Sequence, residues 1–171
     1  MTLARSSGPS GPHTKWVTGE KGKVDRVACS WLIRNFVDRD AEFLFVPAEQ
    51  VLVVAKQEDA IAFDIPGAEL DHFVEDGKEY VSFDAIIRKY ELKDEALLEL
   101  AKIVRGADAR LAGVTDSAPE AIGLEAAAVG FRIIATNDYE NMRLQFPLYD
   151  ALYKYCRWRV EEGHGLEHYV H

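Results

Sequence analysis

Two short stretches of this 171-residue chain hold side chains whose types and spacing could do chemistry. In FDIPGAELDHF, residues 63–73, Asp64, Glu69, Asp71 and His72 gather around a Pro-Gly turn. Hard carboxylate oxygens with one imidazole suit a divalent metal such as manganese, iron or zinc. A turn can also converge groups that a straight strand would splay onto opposite faces. Asp64 stands between an apolar strand residue and Ile65-Pro66, where a buried carboxylate needs a partner. The alternative is a solvated hairpin with His72 on its surface. The second stretch, residues 24–34, is VDRVACSWLIR, in which Asp25 and Cys29 lie four apart and are neighbours on a helix surface. Asp25 has two readings: a first-turn acid that stabilises the helix dipole, or one wall of a pocket. Arg26 and Arg34 could grip an oxyanion through planar guanidinium groups, or pair with Glu20 and Asp38. Cys29, beside Ala28, reads as a small buried hydrophobe, because a reactive thiolate requires an electropositive, partly open setting. Asp108, in IVRGADAR, either follows a helix end or joins a carboxylate cluster with Asp64.

Other chemistries leave no trace. G-x-S-x-G, H-E-x-x-H, P-loop and G-x-G-x-x-G signatures are all missing from the sequence. Cys29 and Cys156 form no C-x-x-C pair, so no structural zinc site or thioredoxin-type motif is signalled. A formal net charge of -9, from 20 Lys and Arg against 29 Asp and Glu, opposes nucleic-acid binding but leaves room for a local basic pocket and a small anionic ligand. No apolar run approaches the ~20 residues that span a bilayer, so no membrane partner is expected. With 48% hydrophobic and 29% charged residues the composition is that of a globular protein. The first 15 residues, rich in Ser, Gly and Pro and without a signal-type apolar core, read as a flexible lead-in to a cytoplasmic protein. His164, His168 and His171 fall in an irregular tail, residues 161–171.

The elements that must position these groups follow from periodicity. A short strand at 16–18, a Gly-flanked turn at 19–22 and a helix over 23–37 lead to a strand at 41–46, closed by Pro47. The helix sets Val24, Val27, Ala28, Trp31, Leu32 and Phe36 on one buried face. Next come a helix at 48–59, a strand at 60–65, a strand or loop at 68–74 and a turn at 75–78. Helices are predicted at 83–90 and 94–107. Another over 120–129 opens with Ser117 as cap and Pro119 in its first turn, and a last one at 141–162 is broken or kinked by Pro147. Strand, helix, strand followed by several helices predicts a mixed α/β or α+β single domain over 16–160: a small sheet packed by helices, with a helix-rich C-terminal half.

The stretches VDRVACSWLIRNFVDRDAEFLFVP, FDIPGAELDH, SFDAIIRKYELKDEALLELAKIVRGAD and PLYDALYKYCRW, in this order, resemble the C-terminal domain of the chromate-resistance protein ChrB family over roughly residues 16–158. The resemblance implies a role in chromate resistance or sensing. It lays the family's polar pattern on Asp25, Arg26, Asp64, Glu69, His72 and Asp108, while Gly19, Ser30, Asn35 and Arg105-Gly106 depart from it. The expected site therefore has Asp64, Glu69, His72 and Asp108 as ligands of a divalent metal, with Asp25 and Arg26 as the catalytic pair and Arg26 orienting an anionic group. Turnover and simple binding both remain open. The alternative is a non-enzymatic oxyanion or metal sensor that signals to a partner.

Overall fold

The computed structural model describes residues 14–111 and 118–162. Its first strand, β1 (Lys15–Gly19), is the middle of a three-stranded parallel sheet, with β2 (Glu42–Val46) on one side and the short β3 (Ile61–Ala62) on the other. Trp16 lies opposite Phe43 and Ile61, and Val17 opposite Leu44 and Ala62. A parallel pair needs a crossover, and α1 (Val24–Leu32) provides it between β1 and β2. Strand alternation then assigns the faces. Trp16, Phe43 and Phe63 join the main core with Trp31 and Leu32 of α1, whereas Val17 packs with Val51 and Ile65 on the opposite face. That second face is covered by α2 (Val51–Gln57), so the strands are apolar on both sides.

Several elements differ in extent from their sequence patterns. The helix expected over 23–37 is α-helical only to Leu32 and continues as a π-helical turn, Ile33–Val37. The Asn35 side-chain amide donates to the Trp31 carbonyl at 2.8 Å, competing for an acceptor one turn back, and the Asp38 amide reaches five residues back to Ile33 at 2.8 Å. Within the stretch 48–59, a 3-10 turn (Ala48–Gln50) precedes α2. The strand expected at 60–65 persists only as β3, because Asp64 adopts a left-handed backbone, φ 52°, and turns the chain away.

Residues 68–74, read as strand or loop, lead into a hairpin of β4 (Phe73–Glu75) and β5 (Lys78–Tyr80). Asp76 and Gly77, at φ 50° and 73°, form the tight Asp-Gly turn that such hairpins favour. Then follow α3 (Ser82–Lys89), α4 (Glu95–Leu111), α5 (Ala121–Ile134) and α6 (Asp138–Glu161). α4 runs beyond its expected end, so Asp108 lies inside the helix and not after it. α6 starts earlier than its pattern because the Asn137 side chain accepts the Glu140 amide, and it passes through Pro147 with the loss of one backbone donor. The lead-in before residue 14, the Ser117 cap and the histidine tail lie outside the described residues. The arrangement is α+β with a helix-rich C-terminal half, and no helix among the described residues is long and apolar enough to cross a membrane.

Candidate metal centre

Three separate elements converge where α1 begins. Asp25 is the second residue of α1 and is buried, yet its carboxylate faces another helix: Oδ2 accepts the Ser82 amide at 2.9 Å and Oδ1 the Phe83 amide at 3.2 Å. The reason is local. Val81 occupies the N-cap of α3 and has no side-chain acceptor, so the first-turn amides of α3 take theirs from α1. Asp84 accepts the Val81 amide at 3.0 Å and is itself paired with Arg105 at 2.8 Å, tying α3 to α4.

The β4-β5 hairpin brings His72 to the same place. Phe73 and Tyr80 are its open-end pair, their rings stacked at 4.9 Å, so His72 and the start of α3 leave the hairpin side by side. His72 Nε2 lies 3.2 Å from Asp25 Oδ2, 3.6 Å from Asp64 Oδ1 and 3.8 Å from Asp108 Oδ2. Ligand atoms of Asp25, Asp64 and His72 all fall within 4.8 Å of one another.

Asp64 is held in its left-handed conformation from several sides. Its amide donates to the Leu70 carbonyl at 2.8 Å, Ser82 Oγ donates to Oδ1 at 2.8 Å, and Arg26 pairs with Oδ2 at 3.0 Å while donating to the Asp64 carbonyl at 2.9 Å. A left-handed non-glycine residue costs of order 1–2 kcal/mol, tolerated by aspartate better than by most. Here that cost aims a carboxylate at His72. Arg26 reaches Asp64 by lying across the turn before α1, where Gly19 and Gly22 leave room: a Cβ at either would stand 3.1 or 3.2 Å from the Arg26 side chain. The turn itself is fixed from α6, whose Asp138 carboxylate accepts the Lys21 and Gly22 amides, each at 2.9 Å.

The electrostatics are those of three carboxylates gathered around the His72 imidazole and the Arg26 guanidinium. Burial, then the charge of Asp64, pushes the Asp25 carboxyl up to about 7, against the pull of His72 and with Asp108 adding to the rise. Burial also raises Asp108, opposed by the positive charges of His72, Lys23 and Arg26. For Asp64, burial is outweighed by hydrogen bonding to His72, the Arg26 charge and the Ser82 hydroxyl, which together hold the carboxyl below its ordinary value. His72 is the counterpart. Hydrogen bonding to Asp25 and Asp64 raises its imidazole to about 11. Its side chain is 47% exposed, so the pocket opens to solvent on the His72 side.

Of the residues expected from the sequence, Asp25, Arg26, Asp64, His72 and Asp108 are brought together. Glu69 is not: Leu70 beside it is buried, the Glu69 carboxylate turns outward and it pairs with Lys89. The Arg26 guanidinium bonds the Asp64 carbonyl, the Asp64 carboxylate and the Glu20 carbonyl, so its contacts are within the protein. Arg34 lies elsewhere, donating to the Ala41 carbonyl with its guanidinium 5.3 Å from the centre of the Phe43 ring. Cys29 is buried, donates to Asp25 Oδ1 at 3.6 Å and is kept protonated by burial and by the Asp25 charge, in line with a core role. Ser82 escaped sequence reasoning. Its position before Phe83 and Asp84 signals a helix start, but nothing local signals a bond to a carboxylate eighteen residues earlier.

The donor set fits a divalent cation. Metal bonds of about 2.0–2.2 Å separate adjacent ligand atoms by roughly 3.0–3.5 Å, and the His72 distances to Asp25 and Asp64 lie close to that range. Two carboxylates and an imidazole, with Asp108 at the margin, are the ligand types of manganese, iron and zinc sites.

Comparison with known proteins adds a family. The model of the ChrB C-terminal domain matches residues 16–156. Protein ChrB of Cupriavidus metallidurans is 36% identical over 125 residues, covering 72% of this chain and 35% of that protein, so the chain matches about a third of the length of this relative. No solved structure matches. The matched span contains every group of the Asp25, Asp64, His72 and Asp108 cluster, and the chain belongs to the ChrB C-terminal domain family.

Proposed function

We propose that this chain is a chromate-resistance-type protein that holds a divalent cation between Asp25, Asp64 and His72, with Asp108 as a further ligand, and binds a small oxyanion there. The observation that carries the reading is the convergence of three carboxylates on one imidazole nitrogen, at 3.2, 3.6 and 3.8 Å. Gathering like charges at a buried aspartate is costly unless cations sit among them, a role that the protonated His72 and Arg26 fill without metal and that a divalent ion would take over from the His72 proton. Two further features support it: the left-handed backbone that aims Asp64, and the exposure of His72, which leaves an approach from solvent.

Each residue then has a part. Asp25 and Asp64 offer hard oxygens, and Arg26 and Ser82 fix the orientation of the Asp64 carboxylate as outer partners of ligands do. Lys23 and Arg26 contribute positive potential on the Asp108 side, which favours an anionic ligand. A bound cation would supply Lewis acidity toward an oxygen atom of that ligand. Chromate and similar tetrahedral oxyanions are the ligand class, as the family relationship suggests.

The test uses protein purified without a histidine tag and stripped with a chelator. Calorimetric titration with Mn2+ and with Zn2+ is expected to show one site in the wild type and at least about a tenfold loss of affinity in His72→Ala and Asp64→Asn. Equal, weak binding by all three proteins would sink the metal site. Titration of the loaded protein with chromate or sulfate then tests the second half, which fails if no heat is seen or if chelation leaves anion binding unchanged.

A further inference from the structure

Away from this pocket, α5 exposes several large apolar side chains. Ile122, Val129, Ile133 and Ile134 are 56%, 46%, 79% and 67% exposed, although the opposite side of the same helix buries Ala121, Leu124 and Ala128. Ile122, Ala126, Val129 and Ile133 follow one another at intervals of four, three and four, which on a helix makes a single continuous stripe. Scattered exposed apolar residues are ordinary, but a stripe of this kind marks an interaction surface.

We propose that α5 is where two copies of this chain associate, helix against helix and antiparallel, about a twofold axis. The spacing of the stripe suits this occupant. Intervals of four, three and four read the same in both directions, so an antiparallel copy places Ile122 against the partner's Ile133 and Ala126 against the partner's Val129. An isologous contact demands such self-complementarity.

The flanks agree. Glu125 and Arg132 lie on one side of the stripe, and in the same register the acid of each copy falls two residues, about 3 Å along the axis, from the level of the partner's base, within reach of the long arginine side chain. Gly123 and Gly130 lie on the other side, where a Cβ added to either meets nothing within 4 Å, leaving space for close approach. One helix pair about 21 Å long buries well under the ~800 Å² per partner of a standard interface. The dimer is therefore of the weak, concentration-dependent class.

Sedimentation velocity of the full chain from micromolar to millimolar concentration tests this. The wild type is expected to shift from monomer toward dimer, and Ile133→Glu to stay monomeric with an unchanged circular dichroism spectrum and melting temperature, since Ile133 is mostly solvated. Register is read by the double variant Ala126→Cys with Val129→Cys, which is expected to give a covalent dimer under mild oxidation. A wild type that stays monomeric throughout, or an Ile133→Glu protein that dimerises equally, overturns the proposal. So does binding of a monomeric chain to phosphatidylglycerol vesicles through this face, and failure of the double variant to cross-link overturns the antiparallel register.

Discussion

The Asp25 carboxylate of α1 closes the N-terminus of α3, accepting the Ser82 amide at 2.9 Å and the Phe83 amide at 3.2 Å. One side chain thus joins two helices and faces His72 at 3.2 Å. Removing it leaves two amides without acceptors, at a cost of about 1–3 kcal/mol for each that stays buried. Asp25→Ala is therefore expected to lower stability clearly in urea titrations even without metal. Asp25→Asn, which keeps one carbonyl acceptor, is expected to lose less. Equal stability of all three proteins would remove the capping role.

How legible this was from sequence depends on distance along the chain. The β1-α1-β2 unit, the hairpin turn at Asp76-Gly77 and the helices near the C-terminus follow from periodicity and turn chemistry, which are local. Asp64 and His72 were readable as donor types near one turn, but Glu69 in the same turn looked equivalent and points to Lys89 instead. Only the backbone path around Gly67, with Leu70 buried, separates them. The capping of α3 by Asp25 spans 57 residues, and its one local hint is negative: Val81 cannot cap its own helix.

Metal binding and protonation compete at His72. The imidazole, raised to about 11 by Asp25 and Asp64, carries a proton at neutral pH and must lose it before Nε2 can ligate. Calorimetric titration with Zn2+ at pH 7 in buffers of different ionisation enthalpy is expected to reveal proton release on binding, abolished in His72→Ala. Affinity should rise as pH increases. A binding enthalpy independent of buffer would contradict a direct role for His72.

Without metal, the same residue gives a stability trend of defined sign. Between the unfolded histidine value near 6.5 and about 11, the folded state binds the proton and the unfolded state does not, so stability falls as pH rises. Asp25, raised to about 7, acts in the same direction, its cost appearing as pH climbs from 3.8 through 7. Chelator-treated wild type is expected to lose stability between pH 7 and 9.5, and His72→Gln to show a shallower slope in urea midpoints over that range. Parallel slopes would refute the coupling.

Asp94 provides the opposite case, remote from the metal ligands. It caps α4 by accepting the Ala96 amide at 2.9 Å and the Leu97 amide at 3.2 Å, and it takes bonds from Tyr153 and Arg157 of α6, each at 2.7 Å. Partial burial would raise its carboxyl, but the Tyr153 and backbone hydrogen bonds and the Arg157 charge outweigh that and hold it below 3.8. A depressed carboxyl contributes stability that is present above its unfolded value and is lost as pH falls through the folded one. Asp94→Ala is expected to cost about 0.5–2 kcal/mol at pH 6, the range for a lost N-cap. The difference from wild type should shrink on acidification below pH 3.8. Tyr153→Phe keeps the cap and loses one donor, so it separates the two parts: if it matched Asp94→Ala in urea midpoints, the contribution would come from the bridge to α6 and not from the cap.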